Sequence, residues 1–325
     1  MRATSTEATS IGVDVGGTKI LSVALSPTGA ILARKKIPTP QQIDSAIGNP
    51  VGSSVAAAVA ETVAVLAAEV GLSPTTCALG LGVPGMVDHS GTLIFAPNLH
   101  GAIGANIAHL VGDRLNRAEV GVDNDANCAA VAEHHFGAAR GVDHALLVTL
   151  GTGIGGAAII NGQLLRGAHG FAGEFGHLMV DPAGPACPCG GKGCLERYAS
   201  GAGLRHLSTE AAAKGELSPE AAESPESLFN AAKSGEHDAL AVVDRFCWWL
   251  ARGIANLCAC FDPELVLLGG GVLEGHEIVL GPTSQYLRDE LEGGQHRTPP
   301  RLEATALGPD AGAVGAALLG ERTKR

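Results

Sequence analysis

Ile11-Gly-Val-Asp-Val-Gly-Gly-Thr-Lys-Ile-Leu-Ser-Val-Ala-Leu25 is an apolar run, a glycine pair and a second apolar run. Both runs are short, rich in β-branched residues and bounded by turn formers. They are expected as buried strands, 11–15 and 20–26, joined at Gly16–Gly17. Pro27-Thr28-Gly29 supplies the next turn, and residues 31–37 read as a third strand. The same order of strand, glycine turn and strand returns at 145–160. There ALLVTL (145–150) runs into Gly151-Thr-Gly-Ile-Gly-Gly156, followed by AAII (157–160). Each turn carries a threonine, Thr18 and Thr152. This weak internal repeat points to two related α/β halves.

Around these turns the pattern switches between helix and strand. Residues 52–69 read as a helix ended by Gly71 and Pro74, and 76–81 as a strand. Residues 105–117 read as a helix and 119–122 as a short strand. The strand ends at Asp123-Asn124-Asp125, and a helix follows at 126–136. Residues 161–200 are rich in Gly, Cys and Pro, with little periodicity. Residues 201–235 read as surface helix and 239–260 as a long apolar helix. Pro263–Gly271 is a strand with a third glycine turn, and 311–320 a closing helix of small residues.

The bulk composition bounds the function. A chain of 325 residues, 46% hydrophobic and 17% charged, folds as one large domain or two medium ones. A net charge of −11 argues against nucleic acid and anionic membrane as partners. The opening MRATSTEATS has no basic stretch leading into an apolar one, and no uncharged apolar stretch of about 18 residues stands out. A cytoplasmic location is expected. Without an export signal, the eight cysteines are expected as thiols, some on a metal.

The glycine turns point to phosphate. Gly151–Gly156 is followed by a strand, unlike a dinucleotide fingerprint, and no Gly-x4-Gly-Lys-Ser/Thr occurs. A strand–turn–strand loop instead offers backbone N–H groups and a threonine hydroxyl to phosphate oxygens. Asp14, Gly16, Gly17 and Thr18 form one such loop, with Asp14 and Thr18 expected near phosphates and magnesium. Gly151, Thr152, Gly153 and Gly155 form the other. Lys19 has two open readings, a phosphate ligand or a solvated strand residue.

The polar run Val122-Asp-Asn-Asp-Ala-Asn127 exceeds what helix capping needs. Asp125 is the candidate general base for a substrate hydroxyl, and Asn124 its orienting neighbour. Cys187-Pro-Cys189-Gly-Gly-Lys-Gly-Cys194, with His177 upstream, suits tetrahedral zinc; a disulfide is the rival reading. With four protein ligands the zinc would be structural, ordering Glu174 and Glu196 nearby. Two carboxylates and an imidazole suit a neutral polyol, whose hydroxyls donate to carboxylates.

These motifs, in this order, resemble the ROK family (repressors, open reading frames and kinases), and within it the bacterial ATP-dependent glucokinases. The matching segments are Asp14–Lys19, Gly82–Asp88, Ala96–Leu99, Asn124–Asn127, Gly151–Gly156, Gly173–His177, Cys187–Glu196, Gly269–Gly271 and Leu307–Gly312. The resemblance implies an α/β, actin-like (ribonuclease H-like) fold of two domains around a central cleft. Expected bounds are 1–125 plus 306–325 for the smaller domain and 126–305 for the larger, zinc-containing one. It implies transfer of the γ-phosphoryl of ATP to a sugar, at O6 for a hexose, with Asp125 as base. Gly85, Asn98, Asn124, Glu174, His177 and Glu196 would hold the sugar. His177, Cys187, Cys189 and Cys194 would hold zinc. The loops at Asp14–Thr18 and Gly151–Gly156 would hold ATP phosphates, and Gly269, Gly270 and Gly271 would lie near the adenosine. A homodimer or homotetramer is usual in the family. The glucokinases often have an aromatic after Pro-Asn-Leu, where this chain has His100-Gly101. Glucose, fructose, mannose, N-acetylmannosamine and N-acetylglucosamine therefore stay open as substrates, beside a non-catalytic sugar-responsive role. The ten residues before the first strand are too few for a helix-turn-helix domain.

Overall fold

A computed structural model describes residues 8–40, 51–96, 99–273 and 277–323. Contacts divide the chain into two units. One takes the residues up to Arg140, Leu164–Ala172 and the chain from Leu307 on; the other takes Gly141–Gln163 and Gly173–Ala306.

In the first unit, β1 (Ser10–Val15), β2 (Lys19–Leu25), β3 (Ile31–Pro38), β4 (Ala78–Val83) and, after a small hairpin of β5 (Met86–Val87) and β6 (Leu93–Phe95), β7 (Gly121–Asn124) are the strands. Five form one sheet in the order β3-β2-β1-β4-β7. The two hairpin pairs are antiparallel and β1-β4-β7 is parallel. Helices α1 (Val51–Glu69), α2 (Ile107–Leu115) and α3 (Asp125–Phe136) belong to this unit. Helix α1 is long and apolar enough to span a membrane, but more than half of it is buried inside the protein. Val55, Val59, Val63 and Leu66, at helical spacing, pack into the core with Ile11, Val13 and Leu81, so it reads as a core helix.

In the second unit, β8 (Ala145–Leu150), β9 (Ile154–Ile160), β10 (Gln163–Leu164), β11 (Leu265–Gly269) and β12 (Arg301–Ala304) form a sheet in the order β10-β9-β8-β11-β12. Again a central antiparallel hairpin, β8-β9, continues into parallel strands, β8-β11-β12. The repeat legible in the two glycine turns is therefore a repeat of sheet topology. The helices are α4 (Glu196–Ala199), α5 (Gly201–Ala213), α6 (Pro219–Ala222), α7 (Pro225–Lys233), α8 (His237–Phe261) and α9 (Glu277–Glu290). The expected helical stretch 201–235 is three helices, because Ser218-Pro219 and Ser224-Pro225 each start a new one. Each serine oxygen accepts an N–H of the first turn and each proline takes the first helical position.

The chain returns to the first unit as α10 (Ala311–Thr323), which lies against β1, β4 and α3. Small residues make that approach possible. A Cβ at Gly12 would sit 1.9 Å from the Ala313 carbonyl oxygen, and one at Gly315 only 1.7 Å from that of Cys128. The contact division falls at Arg140, where the sequence reading expects a boundary at residue 125. Helix α3, placed with the larger domain from sequence, is held in the first unit by α10. Glu133, on α3, is fully buried. Its Oε2 accepts the Ala138 N–H and its Oε1 the Leu307 N–H, both at 2.8 Å. One buried carboxylate thus ties together backbone donors on two distant stretches of chain.

Candidate functional site

The polar run at 122–127 divides its labour. Strand β7 delivers Asn124 to the start of α3, where Asn124 is the cap. Its Oδ1 accepts from the N–H of Ala126 (2.8 Å) and Asn127 (3.2 Å), and its Nδ2 donates to the Gly85 carbonyl (2.9 Å). One Nδ2–H is left for a ligand. Gly85 has φ +89°, and a Cβ there would meet the Phe95 carbonyl oxygen at 2.2 Å, so the position requires glycine. Its carbonyl serves Asn124. Asp123 is buried and accepts from the Asn124 N–H, Asn127 Nδ2 and Arg166 Nε, each at 2.8 Å. Asp125, the first residue of α3, is partly exposed and accepts the Ala126 N–H at 2.8 Å through Oδ1. Asn98 lies outside the described residues.

Arg166 carries no sequence signal of its own. It follows β10 in the irregular stretch, and its pairing with Asp123 anchors Leu164–Ala172 in the first unit. Removing it would leave the Asp123 carboxylate without its cation, held by the Asn124 N–H and Asn127 Nδ2 alone.

The first glycine turn is closed by the Gly16 N–H on the Lys19 carbonyl (2.8 Å) and braced by Thr39 Oγ1 donating to the Gly16 carbonyl (2.7 Å). Gly17 sits inside it. Thr18 and Lys19 are exposed, Lys19 as the first residue of β2. Asp14 sits near the end of β1 against the first turn of α10, where a Cβ on Gly312 would come within 2.9 Å of its Cγ. Burial pushes the Asp14 carboxyl from 3.8 up to about 6, and Lys19 pulls it part of the way back. The folded chain therefore keeps this proton over pH 4–6, where the unfolded chain has released it. Stability falls as pH rises through that window, and the penalty is complete above it. Asp14→Asn is expected to stabilise the ligand-free protein by about 2–3 kcal/mol at pH 7.5 and to change nothing below pH 4. Thermal melts at the two pH values read this directly. Identical melts at pH 7.5 would show that the carboxylate carries no penalty.

The second turn is held from below. The Gly151 N–H donates to the Gly153 carbonyl (3.0 Å). The carbonyls of Gly151 and Thr152 accept the N–H groups of Gly201 (2.8 Å) and Ala202 (3.2 Å), which open α5. The N–H groups of Thr152 and Gly153 have no partner among the described residues, and Thr152 is exposed. Two amides and a hydroxyl on one turn are donors of the kind that an anion can accept. Gly155 follows in β9. The third turn lies beside it: Gly269 ends β11, and Gly270, at φ +92°, sits so close to Leu150 that a Cβ would be 2.4 Å from its oxygen. Gly271 then opens a short 3-10 turn.

Residues 173–196 order around two carboxylates and four soft ligands. A 3-10 turn, Phe175–His177, lies on β9, where the missing side chain of Gly156 admits the Phe175 ring. His177 turns Nδ1 toward Cys187 Sγ (3.7 Å) and Nε2 toward Glu174 Oε2 (3.9 Å). Cys189 Sγ and Cys194 Sγ are also 3.7 Å apart, and all four ligand atoms lie within 4.8 Å of one another. Tetrahedral zinc with bonds of about 2.3 Å to sulfur spaces its ligands by roughly 3.8 Å, so the donor set and its spacing fit that ion. All eight cysteines are free thiols, so the disulfide reading falls. Burial raises the Glu174 carboxyl, His177 opposes the rise and the nearby Glu196 charge adds to it. Glu196 opens α4, and its Oε2 accepts the Ile154 N–H at 2.9 Å.

The paired sheets and their glycine turns define the class: an α/β two-domain protein of the actin-like ATPase fold. The ROK family model matches residues 10–323, and the chain belongs to the ROK family. A glucokinase of Thermotoga maritima is 36% identical over 317 residues, covering 95% of this chain and 96% of that one. An N-acetyl-D-glucosamine kinase of Pectobacterium atrosepticum is 33% identical, covering 95% and 97%. The crystal structure of a ROK family glucokinase from Streptomyces griseus, in complex with glucose and AMPPNP, superposes with a TM-score of 0.82. It is 35% identical and covers 96% of this chain and 99% of that one.

Proposed function

We propose that the chain is an ATP-dependent sugar kinase that phosphorylates the 6-hydroxyl of glucose. The observation that carries this reading is the glycine turn at 151–153, with two unpartnered amides and an exposed threonine, in a chain that also presents Asp125 at the head of α3. The similarity to glucokinases over almost the whole chain supports it.

The reading assigns each residue a role. Thr152 and the free amides of the turn take phosphate oxygens of ATP, and Asp14 would help hold the accompanying magnesium, which would balance phosphate charge. Gly269–Gly271 lie near the adenosine. The remaining Nδ2–H of Asn124, the carboxylates of Glu174 and Glu196, and Nε2 of His177 hold sugar hydroxyls. Asp125 takes the proton of the attacking hydroxyl as its oxygen bonds the γ-phosphorus and ADP leaves. Most of the barrier reduction comes from holding the groups in line and balancing phosphate charge. His177, Cys187, Cys189 and Cys194 would hold a zinc ion, whose contribution is structural because four protein ligands fill its shell. With Nδ1 on the metal, Nε2 of His177 stays free to meet a hydroxyl.

Purified protein with ATP, magnesium and a panel of hexoses tests the reading. ADP formation is expected to be most efficient with glucose. Higher kcat/KM on N-acetylglucosamine or N-acetylmannosamine would move the substrate and leave the class intact. Sugar binding with no ADP from any sugar would overturn the kinase reading in favour of a sugar-responsive regulator.

A further inference from the structure

Glu196 has a second attachment that sugar binding does not require. Its Oε2 accepts the N–H of Ile154, the residue that carries the chain out of the glycine turn into β9. The carboxylate stands directly against the turn: a Cβ on Gly153 would lie 2.2 Å from Oε2 and 3.7 Å from Oε1. The same short stretch reaches the turn a second time. Ser200 Oγ donates to the Glu196 carbonyl (2.7 Å) and accepts the Gly203 N–H (3.0 Å), fixing the start of α5. The α5 N–H groups of Gly201 and Ala202 then hold the carbonyls of Gly151 and Thr152. The turn is therefore gripped on one side by backbone amides and on the other by one charged side chain.

We propose that Glu196 is a positioning residue for the nucleotide turn, and that it couples sugar binding to nucleotide binding. This rests on the kinase reading above. One carboxylate oxygen holds the Ile154 N–H and so aims the free amides of Thr152 and Gly153; the other faces the sugar. A sugar hydroxyl that draws on the carboxylate changes its hold on the turn. A nucleotide phosphate that fixes the turn in turn fixes the carboxylate for the sugar. By linkage the two effects are equal.

Two variants separate this from a plain sugar contact. Glu196→Gln keeps an oxygen for the Ile154 N–H but turns an amide toward the sugar. Glu196→Ala removes both. Affinities for ADP and for a non-hydrolysable ATP analogue are measured by calorimetry, with and without glucose. Without sugar, Glu196→Ala is expected to bind nucleotide about tenfold more weakly, the loss of one hydrogen bond to a charged acceptor. Glu196→Gln is expected to stay within about threefold of the wild type, since an amide oxygen is also an acceptor. Sugar affinity falls in both, and the change in nucleotide affinity that glucose produces in the wild type is lost in both. Equal nucleotide affinity for wild type and Glu196→Ala, or equal losses in the two variants, overturns the proposal. A wild type that turns over no sugar overturns the kinase reading instead.

Discussion

Asp125→Asn is expected to bind sugar nearly as well as the wild type and to lose at least about 100-fold in kcat, the low end for proton transfer by a side chain. The asparagine keeps the shape, and its Oδ1 can still accept the Ala126 N–H that Asp125 holds at 2.8 Å. What goes is the site for the hydroxyl proton. The cap should survive, because Asn124 supplies it through two N–H contacts of its own. Steady-state kinetics with equilibrium sugar binding therefore separates the two roles: kcat falls while KM and Kd move little. Turnover within about threefold of the wild type would remove Asp125 from the base role.

The second large effect is expected at the Cys/His cluster. Native protein should carry about one zinc per chain, and Cys189→Ser should lose at least about 100-fold in zinc affinity, with sugar affinity falling alongside. Cys189 is the informative ligand because it is exposed, so exchanging sulfur for oxygen there disturbs no core packing. The loop has little apolar content to hold it otherwise. Its order rests on short backbone links, such as Cys187 N–H to the Gly191 carbonyl and Val180 N–H to that of Gly193, both 2.8 Å. A structural zinc contributes folding free energy of about 10–16 kcal/mol at its own site. Its removal should free Glu174, His177 and Glu196 together. Metal analysis and calorimetry read both halves. Full sugar affinity in metal-free protein would show that the loop orders without the ion.

Much of this was legible in the sequence because it is local. A strand, a glycine turn and a strand are written in consecutive residues, and so are Cys187–Cys194 and the polar run at 122–127. What was missed depends on distance. Arg166 meets Asp123 across 43 positions, and nothing near either residue announces the pair. Glu133 sits in a helix whose period gives no hint that its carboxylate is buried on the backbone of Leu307. The contact division falls at Arg140 and not at 125 for the same reason, since α3 packs on a helix that begins at Ala311. Strand β12 and helix α9 also went unread. Strand β12 is only four residues long, and α9 carries Gly281 and Pro282, which count against a helix in any local reading. Within the polar run, Asp125 and Asn124 stand out locally, but nothing local says that Asp123 is buried on Arg166 or that Asn124 caps α3 while holding the Gly85 carbonyl.

The three-part first unit has a consequence for how the protein is made. A ribosome delivers β1 to β7 first, yet the helix that covers Gly12 and Gly80 begins only at Ala311. Arg166, the partner of buried Asp123, also emerges late. At about 5–20 residues per second, the nascent sheet waits on the order of 10–40 s for its closing helix. The second unit is complete by Ala306. So the unit that starts first finishes last, and until then an apolar sheet face is open to wrong partners. Any synthesis that stalls before α10 should yield aggregation rather than a half-active enzyme.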